Sequence, residues 1–320
     1  MSITMSGGMT FTGAFTVAPA PPNIRAIFAF GDSWGTPVSI SNIVSNTGVV
    51  ASDTTNASIT GNRLLAGAGY GSSGQAIFGY GFGDNSVQMS KTNLVTNTGV
   101  IGNYVTGVGT QRYYLAAAGY GTDKAIFGYG SPGGGTTAVT NKVSNAGVVA
   151  TDTTGVGTAR YGLAAAGYGS DKAIFGYGMN GSSTVVSMTN LVSNTGVVSS
   201  DVTGVGSPRY GLAAAGYGTD KAIFGYGWKW PSPFIYYSTT NLVSNTGVVA
   251  TDTAGVGTVR NGLAAAGYGS TGQAIFGYGN NSAGVYLSMT NLVSNTGVVA
   301  NDTTGVGTVR QDLGATTFGP

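Results

Sequence analysis

The sequence predicts an all-β protein, a six-bladed β-propeller with four-stranded blades whose ring is closed by the C-terminal strand joining the first blade. Three observations support this fold class. The chain consists mainly of residues that favour strands and turns, with 57 Gly among 320 residues and no Glu. One unit recurs about every 50 residues, a spacing typical of propeller blades. The two ends of the chain carry complementary parts of that unit.

A short apolar segment marks each unit as its predicted second strand. It reads Ala-Ile-Phe-(Gly/Ala)-(Tyr/Phe)-Gly and starts at Ala26, Ala76, Ala125, Ala173, Ala222 and Ala274. LAAAGYG or a variant precedes it across a tight turn, so the two segments are predicted to form a hairpin. TNLVSN and GVVATDTT follow as the predicted third and fourth strands. The small side chains of LAAAG suit an innermost strand, where blades converge. This taper favours a propeller over a solenoid of constant cross-section.

The chain ends divide one unit between them. The first unit begins at Arg25 with a second strand that lacks a first, and the chain finishes after Arg310 with a first strand that lacks a second. We therefore expect strands near Ala26 and Leu313 to pair and to close the ring. The predicted propeller spans residues 23–320, and residues 1–22 form an N-terminal arm.

The repeat resembles that of the kelch propellers. The stretch SPRYGLAAAGYGTDKAIFGYG, at residues 207–227, is similar to the kelch pattern of an Arg before the inner strand and glycines at the end of the second. The resemblance covers all six units. Gly-Tyr-Gly replaces the paired glycines of that family, and its usual Trp in the last strand is missing. Propellers of the regulator-of-chromosome-condensation family are the second-best match. Both resemblances imply a propeller, and neither implies a function.

The sequence predicts neither a catalytic residue nor a metal site nor a cofactor. FGDSWG, at residues 30–35, resembles the nucleophile block of the GDSL hydrolases, but their serine needs a His base and the chain has no His. The copper site of a kelch oxidase needs His and Cys, which are both absent. Asp53, Asp152, Asp201, Asp252 and Asp302 recur, most of them beside Thr, without the spacing of a calcium loop, which favours local hydrogen bonds. The Gly-x-Gly steps precede no predicted helix, so they do not indicate a phosphate loop.

The charged residues argue against nucleic acid as a partner and raise the question of what the repeated arginines do. A net charge of +2 without clustered basic residues argues against nucleic acid, and no apolar run approaches the ~20 residues of a membrane span. Six of the seven arginines occupy one repeat position. A structural ring that ties neighbouring blades together is favoured over an anion site. These residues are Arg63, Arg112, Arg160, Arg209, Arg260 and Arg310.

Two departures from the repeat predict partner contacts. The arm carries Phe11 and Phe15 before a Pro-rich hinge, and it is predicted either to pack on the propeller or to add to a neighbouring protein. The segment GWKWPSPFIYYSTT, at residues 227–240, fills a loop between second and third strands, as Trp34 does in the first unit. Large aromatic residues often dominate contact energies, although these residues could also pack on one another. The predicted contact residues of these loops are Trp34, Trp228, Lys229, Trp230, Phe234, Tyr236 and Tyr237.

The sequence favours a non-enzymatic virion structural or attachment protein that acts as a protein-interaction scaffold. Near-identical Gly/Ser/Thr-rich repeats, the absence of Cys and His, and the SGG-MTFTG-type leader resemble structural proteins of tailed bacteriophages, especially those of cyanobacteria. The resemblance implies a virion location and virion or surface proteins as partners, and it leaves a homo-oligomer open. The alternative is a secreted or cell-surface lectin-like propeller that binds host glycans. The loops between second and third strands share little sequence, which disfavours a repeated glycan site.

Overall fold

The computed structural model describes residues 2–4, 10–12, 23–56, 58–84 and 87–320. Within these residues the protein is all-β, without α-helix, and its strands form many small antiparallel sheets. The all-β prediction is therefore confirmed. In this part of the chain there is also no helix long and apolar enough to cross a membrane.

Six similar sheets repeat along the chain. They are numbered here in chain order, beginning with the sheet that contains Arg25–Ala29. The inner strand of each sheet pairs with the second strand, and the second pairs with the third. Sheet 1 contains Gly314–Phe318, Arg25–Ala29, Ile40–Val44 and Thr54–Thr55, and sheet 2 contains Ala66–Tyr70, Gln75–Gly79, Thr92–Val95 and Ile101–Val105. Sheets 3 and 4 contain Ala116–Tyr120, Lys124–Gly128 and Thr140–Val143, and Ala164–Tyr168, Lys172–Gly176 and Thr189–Val192. Sheets 5 and 6 contain Ala213–Tyr217, Lys221–Gly225 and Thr240–Val243, and Ala264–Tyr268, Gln273–Gly277 and Thr290–Val293.

The two ends of the chain pair as the sequence predicts. Gly314–Phe318 is the inner strand of sheet 1, and its register places Thr317 opposite Ala26 and Gly314 opposite Ala29. The expected pairing of the C-terminal strand with Arg25–Ala29, the second strand of sheet 1, is confirmed.

The prediction of four-stranded sheets is confirmed in sheets 1 and 2, whereas sheets 3 to 6 contain three strands. There the fourth segment makes only isolated bridges, such as Val143 with Val149 and Thr140 with Thr153. The register changes by one residue between these two bridges, which is the mark of a β-bulge. The side-chain amide of Asn141 donates to the carbonyl of Ala150 at 3.0 Å and so occupies the interruption. An extra residue and an Asn side chain therefore replace part of the backbone ladder.

Several two-residue strands lie beyond the ends of the second strands. They pair as Asp32–Ser33 with Thr36–Pro37, Asn62–Arg63 with Phe82–Gly83, Arg160–Tyr161 with Met179–Asn180, Trp228–Lys229 with Ile235–Tyr236, and Arg260–Asn261 with Asn280–Asn281. Each belongs to a second-to-third loop or to the segment that leads into an inner strand. Three of these pairings hold a loop beside the segment that leads into an inner strand, and each of the other two lies within one loop.

Neighbouring sheets pack through a repeated aromatic contact. The Phe of each second strand meets, edge to face, the aromatic residue that ends the second strand of the preceding sheet, as in Tyr129 with Phe175 at 5.1 Å. Gly128 makes room for Phe175, because a Cβ there would lie 2.8 Å from its Cζ. The same contact joins sheet 6 to sheet 1, through Tyr278 and Phe28 at 5.1 Å. The glycine and the aromatic residues of AIFGYG thus form the core between sheets.

Two sets of backbone hydrogen bonds also connect the sheets, one at each end of the inner strands. In the first set, each N–H donates to the equivalent carbonyl of the preceding unit at 2.7–2.9 Å, and the sixth bond returns to the starting residue. Its members are Leu64, Tyr114, Gly162, Gly211, Gly262 and Asp312, all with φ between +54° and +62°. In the second set, the Gly after each inner-strand Tyr or Phe donates to the next unit, as Gly121 does to Asp171 at 2.7 Å. These repeated antiparallel sheets are consistent with a β-propeller-like fold.

The described part of the N-terminal arm is a pair of short antiparallel strands. Ser2–Thr4 pairs with Thr10–Thr12, with Ile3 opposite Phe11. Phe15 and the Pro-rich hinge lie outside the described residues. The predicted role of the arm as an anchor stays a prediction.

Candidate functional site

Most of the sequence differences between copies of the unit lie at one end of the sheets, here named the variable face. It comprises the second-to-third loops and the residue pair that precedes the Leu of each inner strand. The loops span residues 30–39, 80–91, 129–139, 177–188, 226–239 and 278–289. Inner and second strands are antiparallel, so the ends of the second strands and the starts of the inner strands meet at the same edge. The opposite end is here named the turn face. It carries the nearly invariant SNTG turn after each third strand and the turn that follows the LAAAGYG of each inner strand.

A chain of aromatic contacts runs along the variable face. Ring centroids are 5.0–6.2 Å apart from Phe82 to Tyr113, Tyr114, Tyr161, Tyr210 and Trp228 in succession. Trp228 also lies 5.6 Å from Tyr236 and 6.5 Å from Phe234. Sequence patterns did not single out the tyrosines of this aromatic arc. The available signal was the residue pair before each inner-strand Leu, which reads Arg-Leu, Tyr-Tyr, Tyr-Gly, Asn-Gly or Gln-Asp where the rest of the unit changes less.

The segment 227–240 forms a hairpin that both packs inward and extends outward. Trp228 is half-buried between Tyr210 and Tyr236. Phe234 is 63% exposed and Trp230 is 37% exposed. Lys229 and Tyr237 are half-buried, and the Tyr237 N–H donates to the Gly227 carbonyl at 2.8 Å. The sequence left two interpretations of this segment open, internal packing and partner contact. They apply to different residues, since Trp228 packs internally whereas Phe234 faces solvent.

Trp34 lies in a second aromatic group of the variable face. Its ring stacks on that of Tyr286 at 4.5 Å, with an interplanar angle of 5°. Trp34 remains 63% exposed. The structure therefore brings a loop of sheet 1 and a loop of sheet 6 together in one flat, accessible aromatic surface.

Two carboxyl groups and one guanidinium lie near the centre of the variable face. Arg63 Nη1 is 2.9 Å from Asp32 Oδ2, while Asp32 Oδ1 has no hydrogen-bond partner among the described residues. Asp312 lines an axial cavity of about 130 Å³, together with Leu64 and Tyr114. Burial, and then the charge of Asp32, raise the pKa of Asp312 to about 7 although Arg63 opposes the shift. One positive charge thus faces two acidic groups.

Five of the six repeat arginines are fully buried between sheets. Arg160 donates from Nε to the Tyr177 carbonyl at 2.8 Å and from Nη2 to Asn190 Oδ1 at 2.6 Å. Its guanidinium also lies 4.4 Å from the ring centre of Tyr129, in the preceding sheet. Arg112, Arg209, Arg260 and Arg310 repeat this stacking and the contact with Asn. The prediction is wrong for Arg63, because Asn62 occupies the equivalent position and donates to the Tyr80 carbonyl at 2.7 Å. Arg63 is one residue further along, half-buried and paired with Asp32.

The recurring Asp residues lie beside these arginines and hold the linker between units. Asp201 accepts hydrogen bonds from the N–H of Thr158 at 3.0 Å and from its hydroxyl at 2.7 Å. Burial acts to raise the pKa of Asp201, but hydrogen bonds from Thr158 and Asn190 and the charge of Arg160 outweigh it, and the pKa is lowered. Among the described residues, no three His, Cys, Asp or Glu side chains lie together in a possible metal site. Ser33, of the hydrolase-like block, lies in the short strand Asp32–Ser33.

The turn face carries a larger cavity whose charges are compensated. The cavity has a volume of about 480 Å³, and Lys124, Lys172 and Lys221 line it. Each Lys Nζ is 2.6–2.8 Å from the carboxylate of the preceding Asp. The cavity therefore offers paired charges in nearly identical copies, unlike the variable face.

Comparison with known proteins found no match to any protein-family model and no similar curated protein.

Proposed function

We propose that the six sheets are the blades of a closed, kelch-like six-bladed β-propeller. The hydrogen bonds that return from Asp312 to Gly262 and from Leu64 to Asp312 support closure, since they link the last unit to the first. The contact of Tyr278 with Phe28 supports it again within the core. In a closed ring the inner-strand edges face the axis, where neighbouring blades shield them from pairing with another chain.

In this proposal the propeller is a non-enzymatic interaction scaffold, a structural or attachment component of a virion. The concentration of sequence differences on one aromatic face is the observation that carries this function. If the repeated units had no role other than folding, their sequences would be free to differ on both the variable face and the turn face. Here the turn face is nearly invariant, while the variable face presents the exposed Phe234 and Trp34. Exposed aromatic residues are typical anchors of protein contacts.

Glycan binding is the second candidate, and the flat stack of Trp34 on Tyr286 favours it. An exposed indole offers an apolar face on which a sugar ring can lie. This function uses one site between sheets 6 and 1 rather than a site repeated in every blade. It would make the protein an attachment component, or a lectin-like propeller at a cell surface.

Mass spectrometry of purified particles from the organism that encodes the chain tests the virion assignment. The protein is expected among the particle components, and its absence from intact particles contradicts that assignment.

Complementation with Phe234→Ala and Trp34→Ala tests the role of the variable face. Incorporation or host attachment is expected to fall, while Val148→Ala, an exposed residue of the turn face, serves as the matched control. Equal function of all three variants contradicts a binding role for this face. Loss of glycan-array signal in Trp34→Ala alone, with assembly intact, assigns the stack to sugar.

A further inference from the structure

The centre of the variable face holds a half-buried residue, Asp312, whose carboxylate has no hydrogen-bond partner among the described residues. The backbone of Asp312 is committed to the hydrogen-bond set, donating to Gly262 at 2.7 Å and accepting from Leu64 at 2.7 Å. The backbone thus fixes the position of Asp312, and only its carboxylate is free to bind a ligand.

Three glycines shape an aromatic cup around this carboxylate. A Cβ at Gly162 would lie 2.9 Å from Tyr210 Cδ2, and one at Gly211 would lie 3.4 Å from Trp228 Cδ1. A Cβ at Gly262 would lie 2.9 Å from Asp312 Oδ1. The missing side chains therefore let Tyr210, Trp228 and the carboxylate approach the axis. Leu64 and Tyr114 complete the rim.

The charges that face the cup leave it negative. Asp32 and Asp312 face one guanidinium, that of Arg63. The phenols of Tyr114, Tyr210 and Tyr286 also feel the charge of Asp312, which contributes to raising the pKa of each. Added positive charge would offset the repulsion between the two carboxylates. An anion would increase it, and a neutral ligand would leave it unchanged.

We propose that this cup binds an alkylammonium group, namely a lysine side chain of a protein partner. The ammonium would pair with the Asp312 carboxylate and contact the faces of Tyr114 and Tyr210. The axial cavity of about 130 Å³ beneath the rim admits a compact group of a few heavy atoms. This inference deepens the proposed function, because it names what the partner inserts into the variable face.

Titration of the full-length chain with n-butylammonium, followed by NMR or calorimetry, tests the site. Affinity is expected to rise about tenfold between pH 6 and pH 8, because the ionised fraction of an acid with a pKa of about 7 rises that much. The amine itself, with an ordinary pKa near ~10.4, stays charged over this range. If the affinity for n-butylammonium does not change between pH 6 and pH 8, the proposal is overturned without any variant being needed.

Asp312→Asn supplies the variant test, and Asn tolerates the φ of +55° at this position. We expect at least a tenfold loss of affinity and no remaining pH dependence. Asp220→Asn, on the turn face, is the matched control and is expected to bind as the wild type does. Equal binding by both variants overturns the proposal.

A lysine-containing peptide and the same peptide with the lysine acetylated distinguish a protein ligand from a free amine. Binding of the first peptide but not of the second supports a lysine side chain, whereas binding of butylammonium with neither peptide overturns the protein source. If ammonium binding fails while Phe234→Ala still abolishes assembly, the cup assignment is wrong and the proposed function stands. If ammonium binds but no face variant affects particles, the proposed function fails instead.

Discussion

At the scale of single residues, the buried arginines show how a repeat position stabilises the fold. Arg160 is fully buried, and its guanidinium satisfies the Tyr177 carbonyl and Asn190 Oδ1. Replacing it with Met keeps much of the volume but leaves these two acceptors without their donor. We expect Arg160→Met to lower the free energy of unfolding by about 2–4 kcal/mol.

Chemical denaturation of Arg160→Met beside Lys172→Met provides the measurement. Lys172 lies in the same unit, but its ion pair with Asp171 is in contact with solvent, so its loss should destabilise the protein far less than the loss of Arg160. Equal effects of the two substitutions would contradict a structural role for the arginine position.

Asp312 predicts a pH dependence of stability. Its folded-state pKa of about 7 is above the ordinary value of 3.8, so ionisation costs more in the folded than in the unfolded state. Stability from this group is therefore greatest below pH 4 and falls as the pH rises toward 7. Asp312→Asn should then raise the free energy of unfolding at pH 8 by about 1–3 kcal/mol, since solvent contact reduces the full effect.

Melting curves of wild type and Asp312→Asn at pH 4 and pH 8 check this expectation. The two proteins should converge at the lower pH, where Asp312 is protonated in the folded state. A constant difference at both values would show that the substitution acts through packing rather than charge.

At the scale of elements, the hairpin of residues 227–240 separates packing from recognition. The sequence predicts partner contacts for this loop and leaves internal packing open. The structure favours packing for Trp228, which lies between Tyr210 and Tyr236. We expect Trp228→Ala to cost about 2–3 kcal/mol and Phe234→Ala, at 63% exposure, to cost less than about 0.5 kcal/mol.

Thermal melting and partner binding of these two variants belong in one experiment. Phe234→Ala should lose binding without loss of stability, whereas Trp228→Ala should lose both. A stable Trp228→Ala variant would show that its contacts with the neighbouring rings add little.

The strands and their order follow from sequence because each unit repeats the same pattern six times. The pairing of Arg25–Ala29 with Gly314–Phe318 follows too, since only the divided unit gives each strand a partner. The interruption of the fourth strands could not be predicted from the sequence. The bulge depends on the hydrogen bond that the Asn141 side chain donates to Ala150, and the spacing of residues does not reveal that bond. The aromatic arc was also missed. Tyr161 and Tyr210 are far apart in sequence, and only the hydrogen bonds between units place their rings 6.2 Å apart.

At the scale of the whole molecule, stability should depend on the contact between the two chain ends. Gly314–Phe318 pairs with Arg25–Ala29, and the Thr317 hydroxyl donates to the Gly267 carbonyl of sheet 6 at 2.8 Å. The Gly319 N–H donates to the Gly74 carbonyl of sheet 2 at 2.9 Å. One terminal strand thus joins three sheets.

Removal of residues 313–320 should therefore unfold more than one sheet. It exposes the inner edge of sheet 1 and removes the Gly319 bond that completes the second hydrogen-bond set, so the free energy of unfolding should fall by at least about 5 kcal/mol, a large part of the stability of a typical domain. We expect a lower melting temperature, a broader transition and a concentration-dependent tendency to associate through the new edge. Deletion of residues 1–22 is the matched control, because it removes more chain but no strand of the six sheets, and it should melt as the full chain does. Calorimetry of both forms decides the point. If the truncated form melts like the full chain, the terminal strand does not close the ring, and the six sheets are instead stabilised by contacts between successive neighbours alone.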